Sequence, residues 1–268
     1  MPIASARIAA FRELHAGGCF TIPNPFDAGS ARLLATLGFP ALATTSSGFA
    51  ATLGRVDMSV TRDELVAHVT DIAAATDLPL NADAERCYSE DLSGIAETIA
   101  MIADAGAAGV SIEDWNPATN AIDPIDIATA RVGAAAGAAA VSGIVVTARC
   151  ENLIRGVPDL DNTITRLCAY RDAGADVVYA PGLVDLVLIR RVVDEVGLPV
   201  NVLLPGSLSV YDLAEVGVRR VSVGGSLAWV AFGAMVAAAT ALRDTGMIPK
   251  GSPSLDRPLA ATAFAPRG

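Results

Sequence analysis

Three carboxylates stand at the ends of short strand-like runs: Asp83 and Glu85 in LPLNADAE, and Glu113 in GVSIED. Hard oxygen donors with no histidine interleaved suit a divalent cation, Mg²⁺ or Mn²⁺, held partly through water. The competing reading makes each of them a helix cap or an arginine partner. Arg149 closes the apolar run IVVTAR. A guanidinium placed there can clamp a carboxylate or stabilise a developing enolate oxygen. Alternatively it forms an ion pair with Glu151 or Glu113. The segment TTSSGFA, starting at Thr44, offers successive backbone N–H groups that could cradle a carboxylate, or it is an ordinary turn. Asp27, ahead of AGSARLL, reads as a helix N-cap.

What the chain lacks narrows the chemistry further. Its only lysine is Lys250, in a tail rich in Pro, Gly and Ser, which argues against Schiff-base and pyridoxal chemistry. The two histidines, His15 and His68, form no zinc motif. Cys19, Cys87, Cys150 and Cys168 are scattered without a CxxC, and no export signal is evident, so a cytoplasmic location with free thiols is expected. A formal charge of −10 disfavours nucleic acid and anionic membranes as partners. Catalysis is left to carboxylates, arginine, tyrosine, hydroxyls, backbone and a hard metal.

The elements that would position these groups alternate regularly. Strands are expected at Phe20–Ile22, Ala41–Thr45, Leu78–Ala82, Gly109–Glu113, Ile144–Arg149, Val177–Ala180, Pro199–Leu203 and Arg220–Val223. Helical patterns fill the gaps: Ala28–Leu37, Arg62–Ala75, Leu92–Ala105, Asp126–Ala136, Leu160–Ala173, Asp185–Val196 and Tyr211–Glu215. The segments ATLGFPAL, ADAGAAGV, RDAGADVV, DEVGLPV and AEVGVRRV repeat one design: helix end, glycine cap, strand. Alternating strands and helices imply a parallel sheet. No GxGxxG follows the first strand, so a single α/β (β/α)8 barrel over residues 1–250 is favoured over an open sheet, with 251–268 a C-terminal tail.

Active-site groups of such barrels lie at the C-terminal strand ends. Here those ends bring Asn24, Thr45, Ser47, Asn81, Asp83, Glu85, Glu113, Asp114, Arg149, Glu151, Asn152, Tyr179 and Asn201 together with Gly224, Gly225 and Ser226. The segment Val223–Leu242 carries no charge; it is read as a buried helix in an oligomer interface rather than a membrane span.

Together, NPFDAGSARLLATLGFPALATTSSGFA, NADAE, SIEDW, ARCENLIRG and GVRRVSVGGSLAW resemble the isocitrate lyase/phosphoenolpyruvate mutase superfamily, over roughly Phe20 to Met247. The resemblance implies a Mg²⁺-dependent barrel that makes or breaks C–C or P–C bonds beside a 2-oxo or 2-hydroxy carboxylate, through an enolate-like intermediate. It also implies a homotetramer, a dimer of dimers that exchange the eighth helix. By position, Ser47, Gly48 and Phe49 match the segment that binds the substrate carboxylate. Asp57, in LGRVD, matches an acidic gating-loop residue. Asp83 matches the second aspartate of the metal motif, Glu113 the carboxylate that holds metal-bound water, and Arg149 the arginine that contacts substrate.

The departures restrict the reaction. Asn81 stands where the metal motif has its first aspartate, with Glu85 as a candidate compensating ligand. After strand four the chain reads DWNPATNAIDP, without the cysteine of the lyase loop or the lysine of the mutase loop. Tyr179 replaces a histidine usual on strand six. What survives is a C–C lyase or decarboxylase for a small 2-oxo or 2-hydroxy (di)carboxylic acid. Its candidate catalytic residues are Arg149, Glu113, Asp57 and Tyr179, and its metal ligands Asp83, Glu85 and Glu113. Substrate binding falls to Thr45, Ser47, Gly48, Phe49, Asn81, Arg149 and Asn201. A phosphonopyruvate-type P–C hydrolase or mutase and a non-catalytic carboxylate-binding barrel are the alternatives.

Overall fold

The computed structural model describes residues 3–266. Eight parallel strands form one sheet: β1 (Phe20–Ile22), β2 (Leu42–Ala43), β3 (Leu80–Asp83), β4 (Gly109–Glu113), β7 (Val145–Arg149), β8 (Val177–Tyr179), β9 (Val200–Leu203) and β10 (Arg220–Ser222). Their order is β1-β10-β9-β8-β7-β4-β3-β2, so strands from opposite ends of the chain pair directly, with Phe20 opposite Arg220. The remaining seam, between β1 and β2, is bridged by the Ala43 N–H donating to Pro23 O (3.1 Å) and by Asn24 Nδ2 donating to Thr44 O (2.9 Å). The same Asn24 accepts from the N–H groups of Val223 and Gly224, tying three strand ends together. The result is a nearly closed (β/α)8 barrel.

The period-2 alternation of strands decides which side chains face which layer. Val110, Ile112, Val146, Ala148, Val200 and Val202 point outward into the apolar layer under the helices. The intervening positions are polar and face the barrel interior, which is why these strands read as mixed runs. The helices of that outer layer include α2 (Ala28–Thr36), α4 (Arg62–Ala75), α5 (Leu92–Asp104), α6 (Ile125–Ser142), α7 (Leu160–Asp172), α8 (Leu186–Val196) and α9 (Val210–Glu215). Five junction glycines of the sequence repeat, Gly38, Gly106, Gly174, Gly197 and Gly217, all adopt positive φ. That backbone region carries a steric cost for other L-residues, so the repeat is a record of five helix-to-strand turns.

Helix α1 (Ile3–Ala16) closes the barrel floor. Phe11 is fully buried there, edge-on to His15 (4.7 Å between ring centres) and to Phe20 (6.4 Å). A Cβ at Gly109 would lie 2.6 Å from the Phe11 ring and 3.1 Å from Val145 O, so the floor closes only over a bare backbone.

Several expectations are corrected. TTSSGFA is not a free-standing turn: Ser46–Thr52 forms helix α3, capped by the Thr45 hydroxyl accepting from the Gly48 N–H. The loop after β4 folds into an antiparallel ribbon, β5 (Trp115–Asn116) with β6 (Ala121–Ile122), and Leu153–Arg155 adds a 3-10 turn after β7. Helix α6 runs on to Ser142 because alanine, the best helix former, fills its second half. Helix α11 (Arg257–Ala263) lies in the expected tail and packs back on α2, with Arg32 donating to Ala265 O and Ala263 buried. Helix α10 (Ser226–Thr245) is long and apolar enough to cross a membrane, but only Ala228 is buried by its own chain. Trp229, Val230, Met235 and Val236 are each more than half exposed.

Candidate active site at the barrel mouth

The polar interior opens at the C-terminal strand ends into a cavity of about 190 Å³. Its walls include Thr45, Ser47, Asp57, Asn81, Asp83, Arg149, Tyr179 and Asn201 from the expected set. At its centre is a charge cluster. The Arg149 guanidinium lies 2.9 Å from Asp83, 3.2 Å from Glu113 and 2.8 Å from Glu151. Opposing Asp83, the first turn of α3 contributes the N–H (3.2 Å) and hydroxyl (3.0 Å) of Ser46 as donors. The Thr44 hydroxyl accepts from the Asp83 N–H at 2.8 Å, fixing the strand end that carries the carboxylate. Arg149 therefore satisfies both alternatives at once: it faces the cavity, and it is an ion-pair hub.

Burial and like charge set the protonation of this cluster. Desolvation raises Glu113 well above the usual carboxylate range, against the pull of Arg149. Glu151 is raised for the same reason. The Tyr179 ring lies under the Arg149 guanidinium at 5.2 Å, and burial pushes its hydroxyl up to about 12. That phenol stays protonated through the neutral range and is a proton donor rather than a base.

Four expected residues, Glu85, Gly48, Phe49 and Glu113, lie elsewhere than in the cavity wall. Glu85 has positive φ, as do Cys87 and Tyr88, and this turn carries Glu85 into a neighbouring cavity under the 58–60 segment. Glu85 Oε1 and the Tyr88 hydroxyl are both buried there without a partner. Burial first, then Asp83 and Asp57, push the Glu85 carboxyl up to about 8. Gly48 and Phe49 sit behind the wall, their N–H groups donating to the Thr45 hydroxyl and carbonyl, and the Phe49 ring stacks on His68 at 3.7 Å. Gly48 is needed for packing, since its Cβ would fall 2.6 Å from Thr45 Cγ2. Glu113 is nearly fully buried behind Arg149. Asp114 and Asn152 are structural: Asp114 accepts from Tyr170, Arg166 and the Glu151 N–H, while Asn152 donates to Asn162 and Thr163. Asp27 caps α2 as expected, accepting from the Ser30 N–H.

Asp83, Glu85 and Glu113 do not converge as a metal cage, and among the described residues no three acidic, histidine or cysteine side chains do. Asp83 is the carboxylate donor on the cavity wall; the amide oxygen of Asn81, buried and without a hydrogen-bond partner, lies deeper, beside Gly109. Behind them stand Glu113 Oε1 and Glu151 Oε2, neither accepting a hydrogen bond, the latter 3.8 Å from Arg155. Three carboxylates, Asp83, Glu113 and Glu151, share the Arg149 guanidinium, with Arg155 beside Glu151. That arrangement fits a hydrated divalent cation held by few direct protein ligands.

Residues 11–243 match the phosphoenolpyruvate phosphomutase family, and the chain belongs to the phosphoenolpyruvate mutase/isocitrate lyase superfamily. An oxaloacetate decarboxylase of Pseudomonas putida is 30% identical over 227 residues, spanning 80% of this chain and 77% of that one. A Burkholderia cenocepacia J2315 structure, provisionally described as a lyase/mutase, is 46% identical with a TM-score of 0.94, covering 99% and 98% of the two chains. The structure of 2,3-dimethylmalate lyase is 26% identical with a TM-score of 0.85, covering 98% and 95%.

Sequence reasoning missed Arg220, which lines the same cavity from below. The signal was present: in GVRRVSV a charged residue, Arg220, opens a strand whose alternate side chains face the barrel interior.

Proposed function

We propose that the chain is a Mg²⁺-assisted lyase or decarboxylase that breaks a C–C bond in a small 2-oxo or 2-hydroxy dicarboxylic acid through an enolate-like intermediate. The observation that carries this reading is the Arg149–Asp83 pair on the wall of a cavity that also holds Asn81 and Tyr179. Asp83 would hold the metal, supported by Asn81 and Glu113, with Glu85 outside the set. When bound, Mg²⁺ supplies Lewis-acid polarisation of the substrate carbonyl. Arg149 orients the C2 oxygen and stabilises the charge that develops on it. Tyr179 holds the proton that returns to the enolate carbon. Asp57, exposed at the rim, is the base where a substrate hydroxyl must lose a proton. Departure of neutral CO₂ needs no protein acid at the leaving group, consistent with a β5–β6 ribbon that offers no cysteine or lysine.

Thermal unfolding with oxalate, an enolate mimic, tests this reading. Oxalate is expected to stabilise the protein only when Mg²⁺ is present, by about 2.7 kcal/mol at one hundred times its Kd. Asp83→Ala should abolish that shift. If neither compound moves the transition, the metal-assisted reading fails and a non-catalytic barrel takes its place.

We further propose that the exposed apolar face of α10 is covered by a second copy of the chain, in a cytoplasmic homotetramer of helix-exchanged dimers. Trp229, Val230, Met235 and Val236 supply the apolar surface. Light scattering should return the tetramer mass, and Val230→Asp with Val236→Asp should reduce it. A monomeric wild-type protein would contradict the assembly.

A further inference from the structure

Arg86, Arg131 and Arg220 are the arginines buried to 6% exposure or less. Arg86 and Arg131 both pair with Asp123. Arg220 makes no ion pair among the described residues. Its Nε donates to Asn201 Oδ1 at 2.8 Å and its Nη2 to Thr147 Oγ1 at 2.9 Å. Its Nη1 lies 3.3 Å from His15 Nε2. These three partners are neutral. His15 Nδ1 lies 2.8 Å from Phe11 O, so the ring donates there and turns a lone pair to Arg220. Burial, reinforced by Arg220, pushes that imidazole down to about 3, which keeps it uncharged. Three of the five guanidinium N–H donors are so engaged. The side chain nevertheless lines the active-site cavity, alongside Asn201 and Ser222.

A buried cation without a counter-charge is costly, and folds retain one where something else supplies the charge. The mouth of this cavity already pairs its cation, Arg149, with Asp83, Glu113 and Glu151. Its floor is positive, through Arg220, with the polar amide and hydroxyl of Asn201 and Ser222 between them. We propose that Arg220 is a specificity-determining residue: it forms a floor subsite that takes the distal carboxylate of a dicarboxylate substrate, leaving the mouth groups to the reacting end. This rests on the proposed function for the identity of the reacting end only; the floor subsite itself requires no metal. Arg149, already shared among three carboxylates, is not the group that selects a second anion.

The test is calorimetric binding of oxaloacetate, a dicarboxylate with a distal carboxylate for the floor, and of oxalate, which has none, with thermal unfolding of the ligand-free proteins. Arg220→Gln is expected to weaken oxaloacetate at least tenfold and oxalate less than threefold. Arg220→Lys, which keeps the charge, should recover most of the oxaloacetate affinity. Removing an uncompensated charge should leave the ligand-free protein as stable as wild type or more so. A structural peg would give the reverse, a lowered melting temperature with oxaloacetate affinity unchanged, and that result overturns the proposal. Equal weakening of both ligands also overturns it. Loss of Mg²⁺-dependent oxalate binding in the wild type would instead refute the metal reading, while Arg220-dependent oxaloacetate binding could persist.

Discussion

Replacing Arg149 with methionine is expected to destabilise the protein by about 3–5 kcal/mol at neutral pH, the usual cost of stranding buried carboxylates by removing their partner. Three carboxylates lose their cation in this one substitution: Asp83, Glu113 and Glu151. The loss should depend on pH in a definite direction. Burial already raises Glu113 and Glu151, and Arg149 opposes that rise. Without Arg149 both climb further, so the folded variant binds more protons than the unfolded chain over a wider range. Stability then falls as pH rises through the carboxylate range, and acid partly restores it. Denaturant unfolding across pH reads both effects. A variant as stable as wild type at neutral pH would mean the cluster is neutral there and the hub is not electrostatic. Activity should fall by about 10²–10³, as for loss of one charge-stabilising donor. Arg149→Lys should fare only partly better, since a single ammonium cannot serve three acceptors in a planar fork.

Asp123→Ala is expected to have an effect of similar size, again about 3–5 kcal/mol, from the other buried cluster. Asp123 accepts from Arg86 at 2.8 and 3.3 Å, lies 3.8 Å from Arg131 and accepts from Asn116 at 3.4 Å. Its removal leaves the nearly fully buried Arg131 without a carboxylate, and Arg86 with only the exposed Glu90, 2.7 Å from its Nη1. It also cuts the β5–β6 ribbon from the loop after β3, because Asp123 directly follows β6 and Arg86 directly follows Glu85. Limited proteolysis should therefore show new cleavage within residues 115–122 alongside the lowered unfolding midpoint. Asp123→Asn keeps an acceptor and should recover part of the stability. If Asp123→Ala unfolds at the wild-type midpoint, Arg131 is held by its backbone acceptors and Arg86 by Glu90 without it.

The barrel was legible because two local signals agreed. Glycine at each helix end followed by a β-branched run recurs through the chain, and every such glycine adopts the left-handed conformation the pattern requires. The strand ends then followed from period-2 alternation, which is why Asp83, Arg149, Tyr179 and Asn201 were placed correctly at one cavity. Backbone detail was not legible. Positive φ at Glu85, a residue type that seldom adopts it, turned a candidate ligand away from the mouth. Thr45 used its hydroxyl as a helix cap, so a segment read as an open cradle became the first turn of α3. Arg220 escaped notice because it lies at the base of its strand, where bulky apolar residues are the rule.

The order of the sheet also bears on how the chain can be made. β1 forms its ladder with β10, whose partners lie about two hundred residues later, and meets β2 across a seam with few hydrogen bonds. During synthesis from the N-terminus, the first strand to emerge from the ribosome therefore has no edge to join until nearly the last one is out. The arc β2-β3-β4-β7-β8-β9 can assemble progressively, whereas β1 waits with its amide edge unsatisfied and Phe20 and Ile22 uncovered. Closing so long a loop is slow, and an unpaired apolar edge is an aggregation hazard meanwhile. Helix α1, directly ahead of β1, is the element placed to shield it: its Phe11 packs against Phe20 in the finished barrel and can do so from the start.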